Sequence, residues 1–415
     1  MGVVLWWLIG RTRIERKRRA RRRSAAEFAG RHGQPHSEAD TGLETRLPVR
    51  AVGASIFPSL GNRVELLFDA EAMPAMQAAI ESATSSIHAL FYIWRDDETG
   101  VRMRDALACK ASQGVRVRVL VDSFGSSRFM KRLAPKLTAA GAQAACYFPS
   151  RLDPLRAPRV NFVNHRKMLV VDDRQAFTGG MNIGDEYAGP WHDLMARIEG
   201  PAVKALQHLF LDDWYFASGE DVDPGVPHAA VRPGDVACAV VASGPDTETW
   251  IHDSFFRAIN DARERVWLLT PYFIPSSPLL TALRVAASIG VDVRVLLPAN
   301  SDIPLVKVAS RAYYPELLRA GVRVFEHQGD VIHAKAMIVD ELVSSIGSAN
   351  FDSRSFRLSF EVGCFFRHAG TNARLADYYE SLRAGSEELT LKDLDGRPLG
   401  RKLVEAAAHL LSPLL

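Results

Sequence analysis

Two stretches of this chain spell the same phrase. The first reads His165-Arg-Lys167-Met-Leu-Val-Val-Asp172 and, after six residues, Gly179-Gly180-Met-Asn182. The second reads His333-Ala-Lys335-Ala-Met-Ile-Val-Asp340 and, after six residues, Gly347-Ser348-Ala-Asn350. The copies stand 168 residues apart with every internal offset kept. Any fold for this chain must therefore present two equivalent surfaces. A period this long excludes a solenoid of short repeats and points to a duplicated domain.

The flanking pattern agrees. In the first half, Val64–Phe68 suggests a strand, Ala72–Ser85 a helix and Ile87–Trp94 a buried strand. Val101–Ser112 follows as a helix stopped by Gly114, then Val115–Asp122 as an alternating strand. The second half repeats this with a strand over 266–273, a helix over 278–288 ending before Gly290, and a strand over 291–298. Such β-α-β-α-β order calls for a sheet covered by helices on both faces. The predicted fold class is α/β, with two pseudo-twofold-related lobes and one site at their interface. The expected divisions are an apolar and polybasic segment with linker at 1–47, a first lobe at 48–217, a linker at 218–235 and a second lobe at 236–415. An insertion, Ser150–Arg159, precedes the first motif only.

On a strand, residues two apart share a face, so His165 and Lys167 point one way, as do His333 and Lys335. The glycines permit close backbone approach, and Asn182 and Asn350 add amide donors. Packed face to face, the copies give a pocket of two His, two Lys and two Asn. That set suits a phosphoryl group without a metal: cations and amides meet its oxygens while one imidazole attacks and the other protonates the leaving oxygen. A neutral imidazole attacks well only when its far nitrogen is held by an acceptor. Asp193 lies 28 residues after His165, and Glu361 lies 28 after His333, so both are expected as orienting partners. Asp172 and Asp340, also candidate site residues, fall on the other face by alternation and are expected to close the motif turns by hydrogen bonds. His88 reads as a core residue and His192 as a possible lining residue.

Charge is unevenly placed. Residues 11–23 hold nine Arg or Lys and one acid, so the rest of the chain sums to −5 although the whole is +3. The body therefore lacks the composition of a nucleic-acid binder. Ahead of that run, Val3–Ile9 is too short to span a bilayer. With Trp6 and Trp7 beside the cations, it reads as a monotopic anchor on an anionic lipid surface. The four cysteines form no paired spacing and read as free buried thiols. The apolar C-terminal tail is expected to pack on its own domain. The sequence carries no signal for oligomeric state.

The doubled motif resembles the phospholipase D superfamily. From about residue 60 the chain is similar to bacterial cardiolipin synthases, through Tyr92-Ile-Trp94, Phe210-Leu-Asp-Asp-Trp214, Thr270-Pro-Tyr-Phe273 and Ala349-Asn-Phe-Asp-Ser-Arg-Ser-Phe356 among others. The resemblance implies a two-lobed α/β/α fold and a phosphatidyl-histidine intermediate formed without metal or other cofactor. It implies His165 as nucleophile and His333 as the acid, then base. The reaction it implies transfers a phosphatidyl group between two phosphatidylglycerols with release of glycerol, on a bacterial inner membrane with cytoplasmic lobes. Two departures stand out: relatives often carry two full membrane-spanning helices, and Ser359 stands where the family often has Asn. The competing readings are a hydrolase using water, a transferase with another donor or acceptor, such as phosphatidylethanolamine or glycerol, a superfamily nuclease, and a non-catalytic lipid-binding scaffold.

Overall fold

The computed structural model describes residues 18–33, 56–147, 162–223, 231–410 and Ser412. The apolar stretch at 3–9, the first part of the basic run, the linker at 34–47 and the insertion at 150–159 lie outside the described residues.

Duplication is written into one sixteen-stranded sheet. Across the first lobe the strand order is Ile56–Phe68, Leu194–Glu199, Gln175–Gly179, Met168–Val171, Ser86–Phe91, Arg116–Asp122 and Gln143–Tyr147. Across the second it is Val236–Ser243, Ser359–Arg367, Val343–Gly347, Ala336–Val339, Arg265–Leu269, Asp292–Pro298 and Arg323–His327, with Ser386–Leu389 added at the edge. The two orders match strand for strand. They join where Ile56–Phe68 runs antiparallel to Val236–Ser243, so the pseudo-twofold axis passes between those strands.

Local chemistry sets the element ends. The helix Glu98–Ser112 starts three residues before its apolar pattern does, because Asp97 accepts from Gly100 N at 2.8 Å and caps it. Ser276 caps the equivalent helix, Ser277–Ser288. The helix Ala72–Ser82 buries Ala72, Met73, Met76, Ala79 and Ile80, one stripe at helical spacing.

One face of the sheet carries a core shared by both lobes, under the helices Ala202–Ser218 and Ala369–Ala384. It includes Phe210 and Trp214 from the first lobe and Phe360, Val362 and Tyr379 from the second. Each lobe has its own core on the other face. Full burial of a large apolar side chain is worth about 1.5–3 kcal/mol, so the shared layer binds the lobes together strongly.

Three expectations need correction. Residues 24–32 are not linker: the described part of the basic segment, 18–32, is a helix docked on Ala202–Ser218. There Phe28 is buried 5.2 Å from the His208 ring, and Arg21 is buried too. Burial takes Arg21 out of any set of cations facing lipid. Cys238 and Cys364 are buried free thiols, but Cys109 is exposed and Cys146 partly so. His88 is a core residue as expected, bonded to Gln207 Oε1 at 2.9 Å, and burial pushes its pKa down to about 4. The helix Leu399–Leu410 buries Ala408, and its His409 ring packs edge-on against Tyr313.

A continuous sheet and a shared core make unfolding one event. Calorimetry is expected to show a single transition whose van't Hoff and calorimetric enthalpies agree. Two resolved transitions would show the lobes to be uncoupled.

Candidate functional site

The motifs leave their strands at the point where they reach each other. Val163–Asn164 does not stay in its own lobe: it pairs in parallel with Ser359–Phe360 of the other, and His165 N donates to Phe360 O at 2.9 Å. Its counterpart is Ile332, bridged to His192, with His333 N donating to His192 O at 2.7 Å. Each histidine is thereby delivered beside the residue that follows its cross-lobe partner strand, Glu361 or Asp193.

The acids therefore serve the opposite copy. His165 Nδ1 lies 3.0 and 3.1 Å from the Glu361 carboxylate oxygens, and His333 Nδ1 lies 2.6 Å from Asp193 Oδ2. A shared offset identifies both acids but carries no information on this exchange. Both carboxylates are fully buried. Burial pushes the His165 pKa down to about 4 and lowers that of His333, while both acids, despite their own burial, are held below the usual range by the charges facing them. The His165 ring is then neutral, with its Nδ1–H donated to Glu361 and its Nε2 lone pair free to attack, while His333 holds Asp193 through Nδ1 and faces Lys335 through Nε2. The His165 side chain is 14% exposed and that of His333 7%.

Both lysines are buried at the same pocket. Lys167 Nζ donates to His165 O at 2.6 Å, and Lys335 Nζ lies 3.1 Å from His333 Nε2. Burial lowers both lysine pKa values, that of Lys335 to about 8, and each lysine feels Glu361 and Asp193 from the two lobes. One pocket thus holds both lysines. A phosphodiester anion entering it would meet partly dehydrated ammonium groups, whose field is stronger than in water.

The remaining motif residues frame this pocket. A Cβ added at Gly179 would stand 2.3 Å from Leu194 O, and one at Gly347 2.4 Å from Val362 O, so both backbones approach as closely as glycine allows. The next position differs between copies. A Cβ at Gly180 would lie 2.1 Å from Asp193 Oδ1, whereas the Ser348 hydroxyl donates to Glu361. Asn182 accepts from Ile93 N at 3.0 Å and donates to the Tyr187 hydroxyl at 2.9 Å, while Asn350 Oδ1 is buried without a partner among the described residues.

Asp172 and Asp340 are committed elsewhere. Asp172, at φ 54°, accepts from the backbone N–H groups of Thr84, Ser85 and Ser86 and from the Thr84 and Ser85 hydroxyls. Burial would raise its pKa, but these bonds hold it near 2. Asp340, at φ 47°, accepts from Arg263 N, Glu264 N and Arg265 N. Both lie at the far end of a strand from their histidines, roughly 20 Å along the chain. Their geometry ties the turn before the adjacent strand to the motif strand.

Several neighbours were not singled out from sequence. The Tyr92 ring meets His165 edge-on at 4.8 Å, and the Tyr187 and Trp191 rings each lie 5.4 Å from that of His333. Arg166, inside the first motif, donates from Nε to Glu361 O at 3.2 Å and from Nη1 to Asp213 Oδ2 at 2.7 Å. The adjacent acids Asp212 and Asp213 on a helix that buries most of its apolar residues were the signal that a buried cation had to be near. His192 lends backbone to the site, while its ring bonds Asp69 at 3.0 Å.

Two matched α/β lobes, each sending one His and one Lys into a common pocket, define a member of the phospholipase D superfamily. Residues 76–214 and 255–383 match the family model described as cardiolipin synthase, PLD-like domain, and the chain belongs to that family. It is 41% identical over 351 residues to a cardiolipin synthase of Geobacillus sp. (strain WCH70), covering 81% of this chain and 69% of that one. With the major cardiolipin synthase of Bacillus subtilis (strain 168) it shares 37% identity over 366 residues, 85% of this chain and 76% of that one. Among solved structures, phosphatidylserine synthase of Haemophilus influenzae Rd KW20 superposes with a TM-score of 0.69 at 15% identity, over 90% of this chain and 99% of that one, which shows the shared fold.

The site's electrostatics fix a pH profile. If His165 is the attacking group, the ring must be neutral, so kcat/KM is expected to hold down to moderately acidic pH and fall as the ring protonates near 4. On the alkaline side it should fall as Lys335 loses its proton near 8. Glu361 raises the His165 pKa, so Glu361→Gln should move the acid limb to lower pH and cut kcat at least about a hundredfold. An acid limb that stayed in place in the variant would remove Glu361 as the partner of His165.

Proposed function

We propose that this chain makes cardiolipin from two molecules of phosphatidylglycerol. The observation that carries this reading is the crossed pair of His–carboxylate contacts opening onto one pocket that holds both motif lysines, in a chain whose relatives at about 40% identity are named cardiolipin synthases.

The residues divide the work as follows. His165 Nε2 attacks phosphorus of the first lipid, the bond to the glycerol headgroup oxygen breaks, and His333, entering this step as the imidazolium with its second proton on Nε2, delivers that proton to the leaving oxygen. Lys167 and Lys335 take up charge on the non-bridging oxygens, and Glu361 and Asp193 hold the imidazoles in the required tautomer. Glycerol leaves, with the phosphatidyl group held on His165. The headgroup hydroxyl of a second phosphatidylglycerol then gives its proton to His333 and attacks the same phosphorus, breaking the bond to His165. No step calls on a metal ion or other cofactor, and nucleic acid is not a substrate.

A lipid substrate requires the pocket mouth to meet a bilayer. Among the described residues no helix is long and apolar enough to cross a membrane. Two loops fit surface contact instead. Phe124, 60% exposed, and Met130, 36% exposed, follow Asp122, which accepts from Asn164 N beside His165 at 2.8 Å. Ile303 and Leu305, 41% and 43% exposed, follow Asp302, whose charge acts on Lys335. These loops follow equivalent strands, Arg116–Asp122 and Asp292–Pro298, so the mouth carries an apolar edge on each side. Exposed Arg128 and Lys131 beside Met130 suit anionic headgroups.

The deciding experiment supplies phosphatidylglycerol liposomes to purified protein, with and without EDTA, and reads products by mass spectrometry. Cardiolipin with free glycerol, unaffected by EDTA and abolished in His165→Ala and His333→Ala, is expected. Phosphatidic acid alone would replace the transferase by a hydrolase. For the membrane edge, Phe124→Asp with Ile303→Asp should weaken liposome binding about tenfold or more while sparing turnover of detergent-dispersed lipid. Equal loss in both assays would place these residues elsewhere than at the bilayer.

A further inference from the structure

Arg21 belongs to a helix outside both segments matched by the family model, yet its contacts lead to His165. Its guanidinium donates to the Tyr147 hydroxyl at 3.0 Å, to Asp212 Oδ1 at 2.9 Å and to Asp213 Oδ1 at 3.0 Å. Asp213 is fully buried, and its other oxygen receives Arg166 Nη1 at 2.7 Å and Asn164 Nδ2 at 3.0 Å. Those two residues flank His165 in the chain. Arg166 in turn holds the Glu361 carbonyl. The Phe360 ring lies between the two guanidiniums, 5.8 Å from Arg21 and 5.7 Å from Arg166. Asp246 of the second lobe faces Arg21 at 4.0 Å, and the neighbouring Arg22 donates to Asp246 O at 2.6 Å.

We propose that Arg21 is a positioning residue for His165, so that the basic helix 18–32 is part of the catalytic assembly. The proposal rests on the assignment of His165 as the residue that carries the phosphatidyl group. Charge balance supplies the physical reason. Arg21 and Arg166 together face Asp212, Asp213 and Asp246 in a largely dehydrated cluster. Among the described residues, removal of Arg21 leaves three acids around Arg166, which is then drawn toward them and away from Glu361. Removing one member of a buried ion pair leaves an uncompensated charge, so its neighbours rearrange. The device is one-sided, because the second motif has buried Ala334 where the first has Arg166. Among the described residues, only the His165 half of the pocket is wired to the N-terminal segment.

The test uses the full chain with Arg21→Ala, Arg21→Lys and, as control, exposed Arg23→Ala. Glycerol release in a single turnover reads the loading of His165 alone, whatever the acceptor. In Arg21→Ala this step is expected to slow by about tenfold to a hundredfold with KM held within about twofold, since misplacement by 1 Å costs that much. Arg21→Lys should recover part of the rate, and Arg23→Ala should match wild type. Asp213→Asn should slow loading similarly, and the Arg21→Ala/Asp213→Asn double variant should lose little more than either single one. A substrate-free readout accompanies it: the pH midpoint for modification of His165 by diethylpyrocarbonate, mapped by mass spectrometry, should move in Arg21→Ala. An unmoved midpoint together with wild-type loading overturns the proposal, as does a loss of rate that equals the loss of folded protein. Glycerol release by wild type without cardiolipin would overturn the proposed acceptor and leave Arg21 in its role.

Discussion

The site depends on an exchange of carboxylates. Each motif histidine would be an isolated, dehydrated imidazole in its own lobe, because the acid that orients it comes from the other. Two short strand contacts enforce this, Val163–Asn164 on Ser359–Phe360 and Ile332 on His192. They hold because the lobes are already fused through Ile56–Phe68 and Val236–Ser243 and share a core beneath them. Sheet continuity, shared packing and imidazole orientation are therefore one constraint expressed at three scales.

Much of this was legible in the sequence. The doubled motif announced the duplicated α/β architecture, and equal offsets picked out Asp193 and Glu361 among 48 acids. What offsets cannot convey is which copy an acid serves, since a repeat records equivalence and not partnership. Strand alternation also separated Asp172 and Asp340 from the histidines, and their hydrogen bonds to the turns at 84–86 and 263–265 fit that separation. The helix 18–32 was illegible for a different reason. Nine cations within residues 11–23 look alike to composition, and only tertiary packing distinguishes buried Arg21 from exposed Arg23. The adjacent acids of the helix Ala202–Ser218 hinted at a partner without indicating where in the chain it lay.

The copies have diverged in matched pairs. Where one lobe has Gly180 against the shorter Asp193, the other has Ser348 against the longer Glu361, and a side chain at Gly180 would collide with Asp193. Arg166 against Ala334 is a second such difference, and it joins one half of the pocket to the N-terminal helix. The two imidazoles thus sit in unequal surroundings, as two different tasks require. The more exposed His165 lies beside Tyr92, and the more enclosed His333 lies among Tyr187, Trp191 and Lys335.

Crossed partnership also bears on heredity. A substitution in either half of the gene registers at a histidine encoded in the other half, so the two halves cannot drift apart independently. Recombination that swapped one lobe for that of a distant relative would bring in a histidine and an acid tuned to absent counterparts. Ancestral single lobes of this kind could have worked only in twos, and joining them in one polypeptide made that dependence permanent.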